Sequence, residues 1–150
     1  MARAGARVRS ATVDAITFTM RFNVRAYELD SLGHVNNAVY LNYAEHIASE
    51  HVESIGLGRA WNTAQGGGWV VRKHEITYHQ AAVYGDELEV ITRPEGFKAA
   101  TGLRRTKITR AKDGVLLAEV FTEWVWLKMP EGRPARVPAE IVTRLSPPAT

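Results

Sequence analysis

The sequence predicts an α+β domain in which a five-stranded antiparallel sheet wraps around one long central helix. Three observations predict it. A single amphipathic stretch of about 19 residues repeats with helical period. The segments before and after it alternate with the period of strands. Short turn signals, among them Gly85-Asp86 and Asp113-Gly114, link the later segments as hairpins do. A lone amphipathic helix must bury its apolar stripe, and the sheet is the only partner this chain offers.

Each element has its own signal. In residues 17–27, Phe18, Met20, Phe22 and Val24 point one way and Thr19, Arg21, Asn23 and Arg25 the other, a half-buried strand. Residues 28–37 are rich in Asp, Ser, Gly and Asn and read as a turn. Asn36 is placed to cap the helix that follows from Asn37 to Ile55. Its stripe is Tyr40, Ala44, Ile47, His51 and Ile55, widened by Tyr43, Ala48 and Val52. Gly56 stops it, and a loop runs from Leu57 to Gly68. Four strands follow: Trp69–Gln80, Glu87–Arg93, Gly102–Ala111 and Val115–Met129. Pro138–Leu145 is read as a short terminal helix or a frayed end.

Composition narrows the possibilities. The chain has 150 residues, 45% hydrophobic and 23% charged, enough for one core. It is read as a tail over residues 1–13 and a single domain over 14–150. The start lacks the apolar stretch of a secretory signal, and no apolar run reaches the ~20 residues of a membrane helix. Cysteine is absent, which excludes disulfides, thiolate metal ligands and cysteine nucleophiles. Arg3, Arg7 and Arg9 account for the net charge of +3, since the rest carries 16 basic and 16 acidic residues. Neither a nucleic-acid nor a membrane partner is expected, and a cytoplasmic setting is. His46 and His51 are five apart, and His74 and His79 face opposite sides of a strand, so no metal site is expected.

Two motifs carry chemistry. Asp30-Ser31-Leu32-Gly33-His34-Val35-Asn36-Asn37-Ala38-Val39-Tyr40 resembles the D-x-x-G-H-V-N-N-x-x-Y signature of hotdog-fold acyl-CoA thioesterases. These are the 4-hydroxybenzoyl-CoA thioesterase and YbgC-like group, distantly similar to plant acyl-ACP thioesterases. Tyr84-Gly85-Asp86-Glu87-Leu88-Glu89-Val90 resembles that family's Y-G-D-x-L-x-V strand entry. The resemblance implies a hotdog fold, hydrolysis of an acyl-CoA without a cofactor, and a homodimer or homotetramer with sites between subunits. It places the catalytic carboxylate at Asp30 and the polarising amide at Asn37. Two departures stand out: Asn37 occupies a position where YbgC-like enzymes usually carry histidine, and Leu32 one where the plant enzymes carry asparagine.

The residues suit that chemistry in their own right. A thiol of pKa ~8.5 leaves without much help from an acid. One carboxylate and one oxyanion donor therefore suffice. Asp30 can attack the carbonyl or activate water. The amide of Asn37 lies in the first turn of the helix, where N–H groups are unpaired. His34 either positions water or the carboxylate, or serves as a hydrogen-bonded turn residue.

The candidate substrate-binding residues are Asn36, Tyr40, Glu45, Trp61, Arg104 and Arg105. Tyr40 and Glu45 match common family residues, Tyr40 reading more as packing and Glu45 as a solvated or structural group. Trp61 is placed to cover an acyl pocket. Arg104 and Arg105 belong to an acid-free basic stretch, Lys98 to Lys112, suited to the phosphates of coenzyme A. Alternation puts the two on opposite faces. The rival readings are a non-catalytic acyl-CoA-binding hotdog module and a hotdog dehydratase, whose H-x-F-P-G-x-P pattern is absent. The G-x-S-x-G of serine hydrolases is absent as well.

Overall fold

A computed structural model describes residues 16–148. The tail expected over residues 1–13 lies outside them. The elements are β1 (Phe18–Asn23), α1 (Val39–Ser54), α2 (Arg59–Ala64), β2 (Gly67–Tyr78), β3 (Glu87–Lys98), β4 (Thr101–Arg110), β5 (Leu116–Lys128), β6 (Arg133–Pro134) and α3 (Ala139–Leu145). A single 3₁₀ turn, Ala26–Glu28, precedes the α1 hairpin. The strands form one antiparallel sheet in the order β1-β3-β4-β5-β2, and the two-residue β6 adds a sixth strand against β5.

Helix α1 lies on the inner face of this sheet. Tyr40, Tyr43, Ala44 and Ile47 pack with Leu88 and Val90 of β3, Ile108 of β4, and Ala118 and Val120 of β5. Ile47 is fully buried, and a side chain of its size stabilises the fold by about 1.5–3 kcal/mol. The predicted stripe is the observed buried face over Tyr40–His51. A second apolar cluster holds Leu57, Trp126, Val137, Ile141 and Leu145, so α3 closes the end of the sheet nearest the C-terminus of α1.

Several boundaries differ from the sequence reading, each for a physical reason. α1 begins at Val39 rather than Asn37 because Asn36 Oδ1 accepts the Ala38 N–H at 2.9 Å, a local turn that delays helix entry. The stretch read as a loop from Leu57 to Gly68 holds α2. Six residues are too few to show a period, and its start depends on a tertiary contact: the Glu53 carboxylate accepts the Arg59 N–H at 2.7 Å. β3 continues past Pro94 to Lys98, the ladder skipping at a bulge between Pro94 and Gly96, as a residue without an N–H requires. A second bulge between Val71 and Lys73 changes the parity of β2. Trp69 and Val71 face inward before it, and His74 and Ile76 after it.

Candidate active site

The motif Asp30–Asn37 folds as a tight hairpin at the N-terminus of α1. Asp30 N–H donates to the His34 carbonyl at 2.7 Å, and Asn36 N–H to the Glu28 carbonyl at 2.8 Å. Gly33 turns the hairpin with φ +77°, a region that favours glycine. The second motif abuts the first. Val35 N–H donates to the Ala82 carbonyl at 2.9 Å, and His34 bridges Val83. The buried Asp86 steadies that side by accepting the Val83 N–H at 3.1 Å.

Two buried anchors fix the hairpin to α1. The Glu28 carboxylate accepts the Tyr43 hydroxyl at 2.8 Å and the Arg25 N–H at 2.8 Å. Burial, and then the neighbouring Glu28 carboxylate, push the Tyr43 phenol well above its ordinary range, so it remains a donor. The Tyr40 hydroxyl accepts the Ala82 N–H at 3.0 Å. Tyr40 thus stands in the core as a strut, with burial as the first cause of its raised pKa.

Asp30 is exposed at the tip of this frame. Its Oδ1 accepts the N–H groups of Leu32 at 2.9 Å and His34 at 3.0 Å. Among the described residues Oδ2 has no hydrogen-bond partner. One oxygen is therefore pinned and the other is free to meet water or a carbonyl carbon. The backbone of His34 holds the carboxylate; its imidazole is exposed and bonds to none of the described residues.

The Asn37 N–H is likewise without an acceptor among the described residues. Its direction is nonetheless fixed. The Asn36 carbonyl, on the same peptide plane, accepts the Val39 N–H at 2.9 Å. In a trans peptide the N–H then points the opposite way. The next plane is fixed as well, since the Tyr78 hydroxyl donates to the Asn37 carbonyl at 2.7 Å. An unpaired, oriented amide at a helix N-terminus is suited to an oxyanion.

The remaining predicted residues fall elsewhere. Glu45 Oε1 meets His74 Nε2 at 3.1 Å, and His74 Nδ1 meets Thr122 Oγ1 at 2.9 Å. Trp61 is half-buried on α2 with its ring 6.4 Å from that of Trp126, inside the second apolar cluster. Arg105 faces outward and pairs with Glu95 at 2.7 Å and Glu119 at 3.0 Å. Arg104 lies inside, its Nη1 donating to His51 Nδ1 at 2.9 Å and to Thr92 Oγ1 at 3.2 Å. The basic stretch is therefore not one exposed face: strand alternation sends Arg104 into the core, and acids neutralise Arg105.

Sequence reasoning missed Glu28, His51, His74 and Thr92 as parts of these networks. The parity of β4 held a signal, since an inward Ile108 puts Thr106 and Arg104 inward too.

A family profile described as the thioesterase-like superfamily matches residues 24–145, which contain the hairpin, α1 and the whole sheet except β1. This chain belongs to the thioesterase-like superfamily. The acyl-acyl carrier protein thioesterase ATL2 of Arabidopsis thaliana is 31% identical over 122 residues, 81% of this chain. The chain spans 64% of that relative's length. The long-chain acyl-CoA thioesterase FadM of Escherichia coli is 26% identical over 125 residues, 83% of this chain and 94% of its own. A thioesterase from Thermus thermophilus, solved in complex with coenzyme A and zinc, is 30% identical with a TM-score of 0.71, covering 87% of this chain and 92% of that one. The fold is accordingly the hotdog fold that the motifs implied.

Proposed function

We propose that the chain hydrolyses acyl thioesters of coenzyme A or acyl carrier protein, with Asp30 as nucleophile or general base and the Asn37 N–H as oxyanion donor. The observation that carries this is the pairing of a half-free carboxylate with an unpaired, directionally fixed amide in one rigid hairpin. In the covalent route a free Asp30 oxygen adds to the thioester carbon, and the carbonyl oxygen takes up negative charge against the Asn37 N–H. Collapse expels the thiolate and leaves a mixed anhydride, which water cleaves. In the general-base route Asp30 takes a proton from the water that adds to the same carbon. Either route needs the carboxylate charged and the amide in place. An oxyanion donor of this kind is worth about 3–4 kcal/mol of barrier.

The working unit in this reading is a dimer joined along β2. That strand has 12 residues and ends the sheet, and its outer edge pairs with nothing among the described residues. A long bare edge invites another strand. Apolar side chains stand exposed beside it and around Asp30: Val70, Tyr78, Val83, Tyr84, Tyr27 at 83% and Leu32 at 77%. Such a patch marks a surface to be covered. Two β2 strands paired antiparallel about a two-fold axis set the start of each, Gly67–Trp69, beside the end of the other, Tyr78. Tyr78 touches Asn37, so each hairpin meets the C-terminal half of the opposite subunit's α1.

Thiol release from a panel of acyl-CoA and acyl-ACP thioesters tests the reading. Steady turnover of one or more of them is expected. Tight binding of an acyl-CoA with no thiol release would support the binding-module reading instead.

A further inference from the structure

A cavity of about 590 Å³ lies between the C-terminal half of α1, α2, α3 and the inner sheet face. Trp69, Phe97 and Trp124 give it apolar walls, and Arg104 is in its lining. Arg104 is only 7% exposed. Its Nη1 is held by His51 and Thr92, which are both neutral acceptors. A guanidinium can only donate, so His51 Nδ1 accepts and its proton sits on Nε2. Burial and then the charge of Arg104 push His51 down to about 4, which keeps it neutral. Burial alone pushes Arg104 down to about 10, which leaves it a cation at neutral pH.

No carboxylate among the described residues lies within ion-pair distance of Arg104. Its Nε and Nη2 make no hydrogen bond to any of them either. Those two nitrogens form the edge of a guanidinium that takes a carboxylate bidentately. A buried cation without a counter-charge is costly to hold. A second polar group in the same lining is also unsatisfied: Asn62 Oδ1 is buried with no donor among the described residues. The cavity's own acids, Glu50 and Glu53, are exposed, and Glu53 is engaged with the Arg59 N–H. Arg59, in the same lining, adds a second cation.

We propose that this cavity holds the acyl group of the substrate and that Arg104 receives a carboxylate at its distal end. The preferred acyl groups then have an apolar spacer between the thioester and a terminal carboxylate. The inference rests on the thioesterase reading above, in which β2 pairing sets the Gly67–Trp69 wall of the cavity beside the partner's Asn37.

The test compares succinyl-, adipyl-, suberyl- and sebacyl-CoA with butyryl-, hexanoyl-, octanoyl- and decanoyl-CoA, with 8-hydroxyoctanoyl-CoA as a neutral polar control. At one or more lengths the carboxylated substrate is expected to exceed its unsubstituted match at least tenfold in kcat/KM. Arg104→Met should lower that ratio at least tenfold. If the wild-type ratio stays near or below one at every length, or the hydroxy substrate matches the carboxylated one, the proposal is overturned. The wild-type ratios decide the matter even if Arg104→Met fails to fold. If no substrate releases thiol, the thioesterase reading fails and calorimetry decides the cavity: suberyl-CoA binding at least tenfold tighter than octanoyl-CoA keeps Arg104 as a carboxylate site, and equal affinities reject it.

Discussion

The two ends of α1 are built in opposite ways. At the N-terminal end the functional groups are a single exposed carboxylate and backbone amides, held by a hairpin that is itself pinned through Glu28–Tyr43 and Tyr40–Ala82. At the C-terminal end they are side chains, Arg104, His51 and Thr92, sunk among aromatic walls. Backbone donors cannot be repositioned without unfolding the turn, which suits a role in fixing a transition state. Buried side chains in a cavity are suited to choosing a ligand, because an unmatched group there is penalised strongly. In the proposed reading one helix carries chemistry at one end and selection at the other, and β2 pairing joins the two between subunits.

The largest expected effect comes from separating them. Val70 stands exposed on β2, whose outer edge is unpaired among the described residues, and Val70→Glu places two like charges in one short seam of the proposed two-fold dimer. The expected outcome in sedimentation is a monomer, with turnover lowered more than ~100-fold because each hairpin loses the facing cavity. A folded monomer with full activity would show that one subunit is sufficient.

His51 sharpens the contrast through pH. Its folded pKa of about 4 lies below its ordinary value of 6.5. Between those values the unfolded chain binds more protons than the folded one, so stability rises with pH across the window. The contribution is complete above pH ~6.5 and is lost as pH falls toward 4, by roughly 3 kcal/mol at most. Thermal melts from pH 7.5 to 4.5 should fall more steeply for the wild type than for His51→Gln, which has no proton to gain. Parallel curves would mean that His51 is not held neutral in the fold.

The anchor of the other end gives the smallest effect. Tyr43→Phe removes one hydrogen bond to the buried Glu28 carboxylate, a loss of about 1.5–3 kcal/mol. Glu28 keeps the Arg25 N–H, so the hairpin should loosen without opening. A lowered melting temperature with kcat reduced less than ~10-fold is expected. An unchanged melting temperature would remove Glu28–Tyr43 as an anchor.

What the sequence made legible was local. The α1 stripe, the alternation of the strands and the Asp30–Asn37 turn each depend on residues within one or two turns of each other, and their placement followed the pattern. The turn contacts of Asp30 itself span four residues or fewer, and the contiguous motif with its family resemblance is what singled out Asp30 and Asn37 together. The rest depends on partners distant in sequence. Arg104 lies in Leu103-Arg104-Arg105-Thr106, which reads as a solvated basic strand until Thr92 and His51 are seen opposite it. Glu28 looks like one more surface acid beside Arg25 until Tyr43 reaches it. The β2 bulge at Val71–Lys73 reverses which residues face inward, and alternation carried across it assigns the wrong side.

Asp30→Asn is the substitution that bears most directly on the carboxylate. Asparagine keeps an oxygen to accept the Leu32 and His34 amides, so the hairpin should stand and only the charge is lost. With an unchanged melting temperature, thiol release from the best substrate of the panel is expected to fall at least ~100-fold in kcat. A folded Asp30→Asn protein that turns over at the wild-type rate would contradict the assignment of Asp30 as nucleophile or base.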